Sequence, residues 1–278
     1  MSAPGRRRVR GNQPPIPAVV VGLIGLVLFF GLPLAGLLWR APWSDVTSVL
    51  RDHAARDALR LSLICSLSAT GLSVLLGIPI AWLLARGRFP GLSAIRALAL
   101  LPLVLPPVVG GVALFYAFGR RGLIGQWLDH WFGIQLPFTI WAAIIAETFV
   151  AMPFFVITVE GALRSLDTRY EDAAATYGAG PWTILRRVTL PMIAPSIAAG
   201  MALTWARALG EFGATITFAG NFPGKTQTLP LAIYLAFENN DPAGIILSIL
   251  LLTISIIVLV IVGSRVFSDR LRIREAGR

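Results

Sequence analysis

The chain alternates long uncharged apolar runs with short polar connections rich in arginine, and the length of each run decides what it is. A helix crosses the hydrocarbon core of a bilayer with about 20 apolar residues. Gly11 to Trp39, Leu61 to Ala85, Ala97 to Gly119 and Pro242 to Ser264 all reach that length without a charge. Trp131 to Val159 is interrupted only by Glu147, and Val188 to Ala206 runs on past Arg207 toward Glu211. Six membrane-spanning helices are the economical reading, and they make an all-α integral membrane protein. Leu229 to Phe237 is apolar but nine residues long. Too short to span, it predicts a re-entrant or surface helix starting near Thr228.

Composition supports this picture. Of 278 residues, 56% are hydrophobic and 14% charged, against about 25% charged in a soluble domain. The net charge of +10 would suit nucleic acid, but the positions of the cations give it another meaning, since Lys and Arg mark the cytoplasmic ends of spans. With the N-terminus inside, the inner segments hold Arg6, Arg7, Arg8, Arg10, Arg86, Arg88, Arg96, Arg164, Arg169, Arg186, Arg187, Arg265, Arg270, Arg272, Arg274 and Arg278. The outer ones hold only Arg40, Arg51, Arg56, Arg120, Arg121 and Lys225. Both termini are therefore expected in the cytoplasm, and no nucleic-acid partner is expected. The basic start admits a signal peptide, but Ile16 to Trp39 exceeds the roughly 7–15 residues of a signal core and no A-x-A site follows, so a permanent span is expected.

Three regions result: 1–57 as N-terminus, first span and outer loop; 58–264 as the core; 265–278 as a basic cytoplasmic tail. Two connections stand out by length, 164–191 inside and 218–241 outside, where functional weight is expected. A single cysteine, Cys65, rules out an intramolecular disulfide, and with only His53 and His130 no metal site or cofactor is expected.

Within the inner connection, Thr168 to Gly178 reads as a short helix. Thr168 and Glu171 have capping-box spacing, Glu171 and Asp172 favour the positive end of the dipole, and Gly178 suits a left-handed helix end. Ala173, Ala174 and Ala175 allow another surface to approach closely. Leu190-Pro191 reads as the break before the next span. The pattern Asp172-Ala173-Ala174, three residues, Gly178, nine residues, Val188-x-Leu190-Pro191 resembles the EAA loop of ABC-importer permeases. That resemblance implies a type I ABC-importer permease fold, with Glu171, Asp172, Ala173, Ala174, Gly178, Leu190 and Pro191 in a coupling loop that docks on a cytoplasmic ATPase.

Two further motifs narrow the resemblance. Leu101-Pro102-Leu103-Val104-Leu105-Pro106-Pro107-Val108-Val109-Gly110-Gly111 would suffer as a lipid-facing helix, because its prolines remove donors and its glycines expose carbonyls. It reads either as a kinked packing helix or as the wall of a wet path. Arg207 and Glu211, four apart, share a helical face and can neutralise one another, so they read equally as a structural pair or as a path element. These stretches, with Gly210 to Asn221 and Pro223 to Tyr234, are similar to the permeases of molybdate importers from about Leu59 onward. The resemblance implies a path or gate at Pro106, Pro107, Gly110, Arg207, Glu211 and Thr215. Glu147 carries no implied role.

Gly224-Lys225-Thr226 imitates the end of a phosphate-binding loop, but the glycine required five positions earlier is Ala219. ATP hydrolysis is thus expected on a separate subunit, and no catalytic residue is expected in this chain. The implied partners are a cytoplasmic ABC ATPase, an extracytoplasmic oxyanion-binding protein, a second copy of the chain and membrane lipid, in a bacterial cytoplasmic membrane. Sulfate and tungstate are alternative cargoes. An ion-coupled secondary transporter is a further alternative, but internal repeats and multiple buried titratable groups, its expected signs, are missing from the sequence.

Overall fold

The computed structural model describes residues 16–276, all of whose regular elements are helical. The basic start Arg6 to Arg10, and Arg278, lie outside the described residues. Helix α1 (Pro17–Trp39) belongs to a separate N-terminal unit, Met1–Trp43, and none of its apolar window is buried. Its middle, Val27–Gly31, widens to a π turn in which Leu32 N–H reaches the Val27 carbonyl. The cause is Pro33, which has no N–H to continue the α ladder.

The second unit starts at Ser44. It contains α2 (Val46–Arg51), α3 (His53–Arg86), α4 (Leu92–Leu100) with a 3-10 turn at Leu101–Leu103, α5 (Pro107–Phe118), α6 (Gly125–Phe132) and α7 (Ile140–Ser165). There follow α8 (Arg169–Thr176), α9 (Pro181–Met192), α10 (Ala194–Leu209), α11 (Gly213–Phe218), α12 (Leu229–Glu238) and α13 (Ala243–Ala276). Helices α1, α3 and α7 are long and apolar enough to cross a bilayer, and two bent pairs raise the number to five.

Several expectations need correction here. The run Ala97 to Gly119 is not one helix: Leu92–Leu103 and Pro107–Phe118 meet at 116°. Consecutive prolines remove two donors, and Pro106 is held extended by the proline after it, at φ −55°, ψ 132°. The run beginning at Trp131 does not start a span, since Trp131 and Phe132 end α6 and the span begins at Ile140, capped by the Thr139 hydroxyl. Leu190-Pro191 is not the break. Pro191 lies inside α9, preceded by a π turn at Leu185–Thr189, and the 72° bend comes at Ile193. Helix α13 runs through Ser264 to Ala276, which leaves the expected basic tail 265–278 untested.

Helices α3, α7 and α10 form the centre. Ala69, Ala151 and Ala208, one from each, meet with almost no exposed surface, as helices do where lipid supplies no hydrophobic drive and close packing must substitute. Ala81, Leu84, Phe155, Val159 and Leu163 fill the layer toward the α8 end. Cys65, Leu114, Ile144, Ala214 and Phe218 fill a second layer, where α5 and α11 join.

Candidate functional site

The two proline- and glycine-rich motifs of the sequence pack against each other. Helix α5, the second half of the broken span, lies on α11. A Cβ placed on Gly111 would collide with Thr217 Oγ1 and stand 2.7 Å from the Ala214 carbonyl oxygen. Only glycine permits this approach. Pro107 contacts α11 at Gly213, and Gly110 faces Phe149 of α7. Pro106 sits at the bend itself. Of these, Gly111 was not among the expected path residues, although its place in the motif was visible.

Arg207 and Glu211 are brought together at this junction. A guanidinium nitrogen of Arg207 lies 2.8 Å from Glu211 Oε2, with the two side chains 29% and 1% exposed. Glu211 Oε1 accepts the Ala214 backbone N–H at 2.8 Å. The carboxylate therefore closes two gaps at once: it neutralises the arginine and caps α11 after the break at Gly210–Phe212. Arg207 keeps part of its surface accessible while its charge is balanced from the buried side.

Thr215, on α11, is buried, and its hydroxyl lacks a hydrogen-bond partner among the described residues. Glu147, in the middle of α7, is 1% exposed, and its Oε2 likewise has no partner among them. Groups of His, Cys, Asp and Glu suited to a metal ion do not occur among the described residues.

The helix in the inner connection forms, but not with the expected cap. Thr168 has helical dihedrals and its side chain makes no capping bond. Asp167 does that work: its Oδ1 accepts the Arg169 N–H at 3.0 Å, and its other oxygen holds the Arg169 guanidinium. These bonds, first the one from the Arg169 side chain, hold the Asp167 carboxyl below the usual carboxylate range. Glu171 turns instead to the bundle, accepting from Thr189 Oγ1 at 2.9 Å and lying 3.2 Å from Arg86. At the other end, Gly178 takes φ +83°. Gly178 N–H bonds to the Ala175 carbonyl and Ala179 N–H to the Ala174 carbonyl, the paired pattern of a Schellman motif. Asp172 to Ala174 are partly or fully exposed, and Leu190 and Pro191 lie in α9.

Three apolar helices long enough to cross a bilayer, with two bent pairs of which one packs against a charged helix junction, define a multi-pass membrane protein. Residues 73–273 match the family described as binding-protein-dependent transport system inner membrane component, and the chain belongs to that family. Among its relatives is the molybdenum transport system permease protein ModB of Mycobacterium tuberculosis, 45% identical over 89% of this chain and 93% of that protein. The sulfate transport system permease protein CysT of Escherichia coli is 35% identical over 85% and 87%. A solved bacterial alginate ABC transporter, in complex with an alginate-bound periplasmic protein, superposes with a TM-score of 0.68 over 89% of this chain and 90% of that one, at 19% identity; this likeness concerns the fold.

Proposed function

We propose that this chain is the membrane-spanning subunit of an ATP-driven ABC importer that carries molybdate into the cell. It is a transport subunit and not an enzyme. The observation that carries the reading is the 45% identity to a molybdenum permease over nearly its whole length, against 35% to a sulfate permease. Two copies form the path, because each chain has one docking helix and a symmetric ATPase dimer offers two clefts. The subunit has six spans with both termini in the cytoplasm of a bacterial cell, and an oxyanion-binding protein delivers cargo from outside. Helix α8 is the coupling helix: ATP binding draws the two copies together, and hydrolysis returns the path to the inside. Arg207, at the junction of α10 and α11, offers a partly accessible cation whose charge Glu211 balances, so an anion meets attraction without a deep trap.

The test is uptake by proteoliposomes holding the permease, its ATPase and its binding protein, with labelled molybdate, tungstate and sulfate in competition. ATP-dependent molybdate uptake is expected, with Gly178→Val abolishing both ATPase co-purification and transport. Preference for sulfate would shift the assignment to the sulfate relatives. Uptake driven by an ion gradient without ATP would overturn it.

A further inference from the structure

The end of α3 that faces α8 carries two joints of different physical kind. The first is Arg86, the last residue of α3, which meets Glu171 of α8 at 3.2 Å. That contact is ionic but not directional: Arg86 Nε and the contacting Nη are buried and form no aligned hydrogen bond among the described residues. Coulomb attraction depends on distance and only weakly on angle, so the pair tolerates rotation of α8 about α3.

The second joint is directional. The Leu84 carbonyl, one of the last-turn acceptors a helix leaves unpaired, takes hydrogen bonds from Arg96 at 3.1 Å and Arg164 at 3.0 Å. Both arginines also grip Glu160 Oε1, at 2.6 and 2.8 Å. Arg96 stands on α4 and Glu160 and Arg164 on α7, so this clamp makes the ends of α3, α4 and α7 one body. Helix α4 leads directly into the bend at Pro106 and thus to the α5–α11 junction.

We propose that Arg86 is a positioning residue: a charge-only swivel through which displacement of α8 is passed into the clamped ends of α3, α4 and α7 and on to the broken span. The assignment rests on the reading of α8 as the ATPase-docking helix. It goes beyond that reading in naming where the motion enters the bundle and why that contact needs charge but not geometry.

The experiment uses the full complex in proteoliposomes, measuring co-purified ATPase, ATP hydrolysis and molybdate uptake in one preparation. Arg86→Gln should keep normal ATPase content and hydrolysis within about twofold while uptake per ATP falls about tenfold, the scale of a coupling residue. Arg86→Lys restores a point charge without the guanidinium fork and should return uptake per ATP to within about twofold of wild type. Unchanged uptake per ATP in Arg86→Gln, or loss of bound ATPase there, would overturn the proposal. If Arg86→Gln does not insert, Arg86→Lys decides alone, since an equally uncoupled lysine variant excludes a charge-only joint. Ala174→Trp separates the two readings: normal ATPase content in that variant would refute docking at α8, whatever Arg86 does.

Discussion

The Ser62 hydroxyl oxygen accepts the backbone N–H of Leu229 at 2.6 Å, across 167 positions of sequence. Thr228, the residue before α12, makes no capping bond with its own side chain, so α3 supplies the cap that α12 lacks. Ser62→Ala leaves a buried N–H unpaired, which costs about 1–3 kcal/mol. Ser62→Thr keeps the oxygen. Thermal unfolding in detergent should therefore place Ser62→Ala clearly below both wild type and Ser62→Thr; equal melting of the alanine variant would refute the capping role.

Breaking the Arg207–Glu211 pair should cost more than removing it. Arg207→Ala strands a buried carboxylate; a fully buried pair loses about 3–5 kcal/mol, and the partly accessible arginine puts this one below that range. The double variant Arg207→Ala/Glu211→Gln removes that charge and keeps an oxygen for the Ala214 N–H, so it should recover part of the loss in stability and uptake. Additive effects in this cycle would show that the residues act independently.

Gly111→Ala places a methyl where Thr217 Oγ1 and the Ala214 backbone already stand. Helices α5 and α11 must separate, and overpacking of this kind costs about 1–3 kcal/mol or more. The double variant Gly111→Ala/Thr217→Ala removes the nearer obstacle and should regain only part of the stability, because the Ala214 carbonyl remains. Full recovery on expression and melting assays would place the whole conflict at the threonine side chain.

The orientation argument predicts opposite labelling at two exposed sites. In a Cys65→Ser background, Lys225→Cys should react with a membrane-impermeant thiol reagent in intact cells, and Thr168→Cys only after lysis. The reverse pattern would invert the topology drawn from the arginine distribution.

Acid should loosen the segment between α5 and α7. Hydrogen bonds from Gln135 and then Arg120 hold the Asp129 carboxyl below the usual carboxylate range. A depressed folded value means the stabilisation is full above the ordinary carboxylate pKa and is lost as pH falls through the depressed one. Protease nicking or hydrogen exchange at Gly119 to Gln135 should rise as pH drops into that range, and Asp129→Asn should abolish the pH dependence. An unchanged profile in Asp129→Asn would assign the effect to another group.

Much of the protein was written locally. Uncharged run length marks α3, and an apolar run broken only by Glu147 marks the presence of α7 though not its start, because bilayer thickness imposes a length on any helix that crosses it. Gly178 at the end of α8 was equally legible, since a left-handed residue is a local steric matter. The four-residue spacing of Arg207 and Glu211 pointed to a pair on one helical face; they do meet, but the helix ends at Leu209 and Glu211 reaches back from the break. What the sequence did not determine were relations between distant segments. The capping box at Thr168 was a correct local pattern, yet Arg86 and Thr189, distant in the chain, drew Glu171 away from it. The clamp of Arg96, Glu160 and Arg164 on Leu84, and the cap from Ser62 to Leu229, have no sequence spacing that announces them. Even the glycine–proline motifs, visible as strings, did not disclose that each is the other's contact surface. Hydrophobic length and backbone sterics act over a few residues and can be read in order. The pairing of buried charges and the close approach of backbones depend on which helices the folded bundle makes neighbours, and only the tertiary structure decides that.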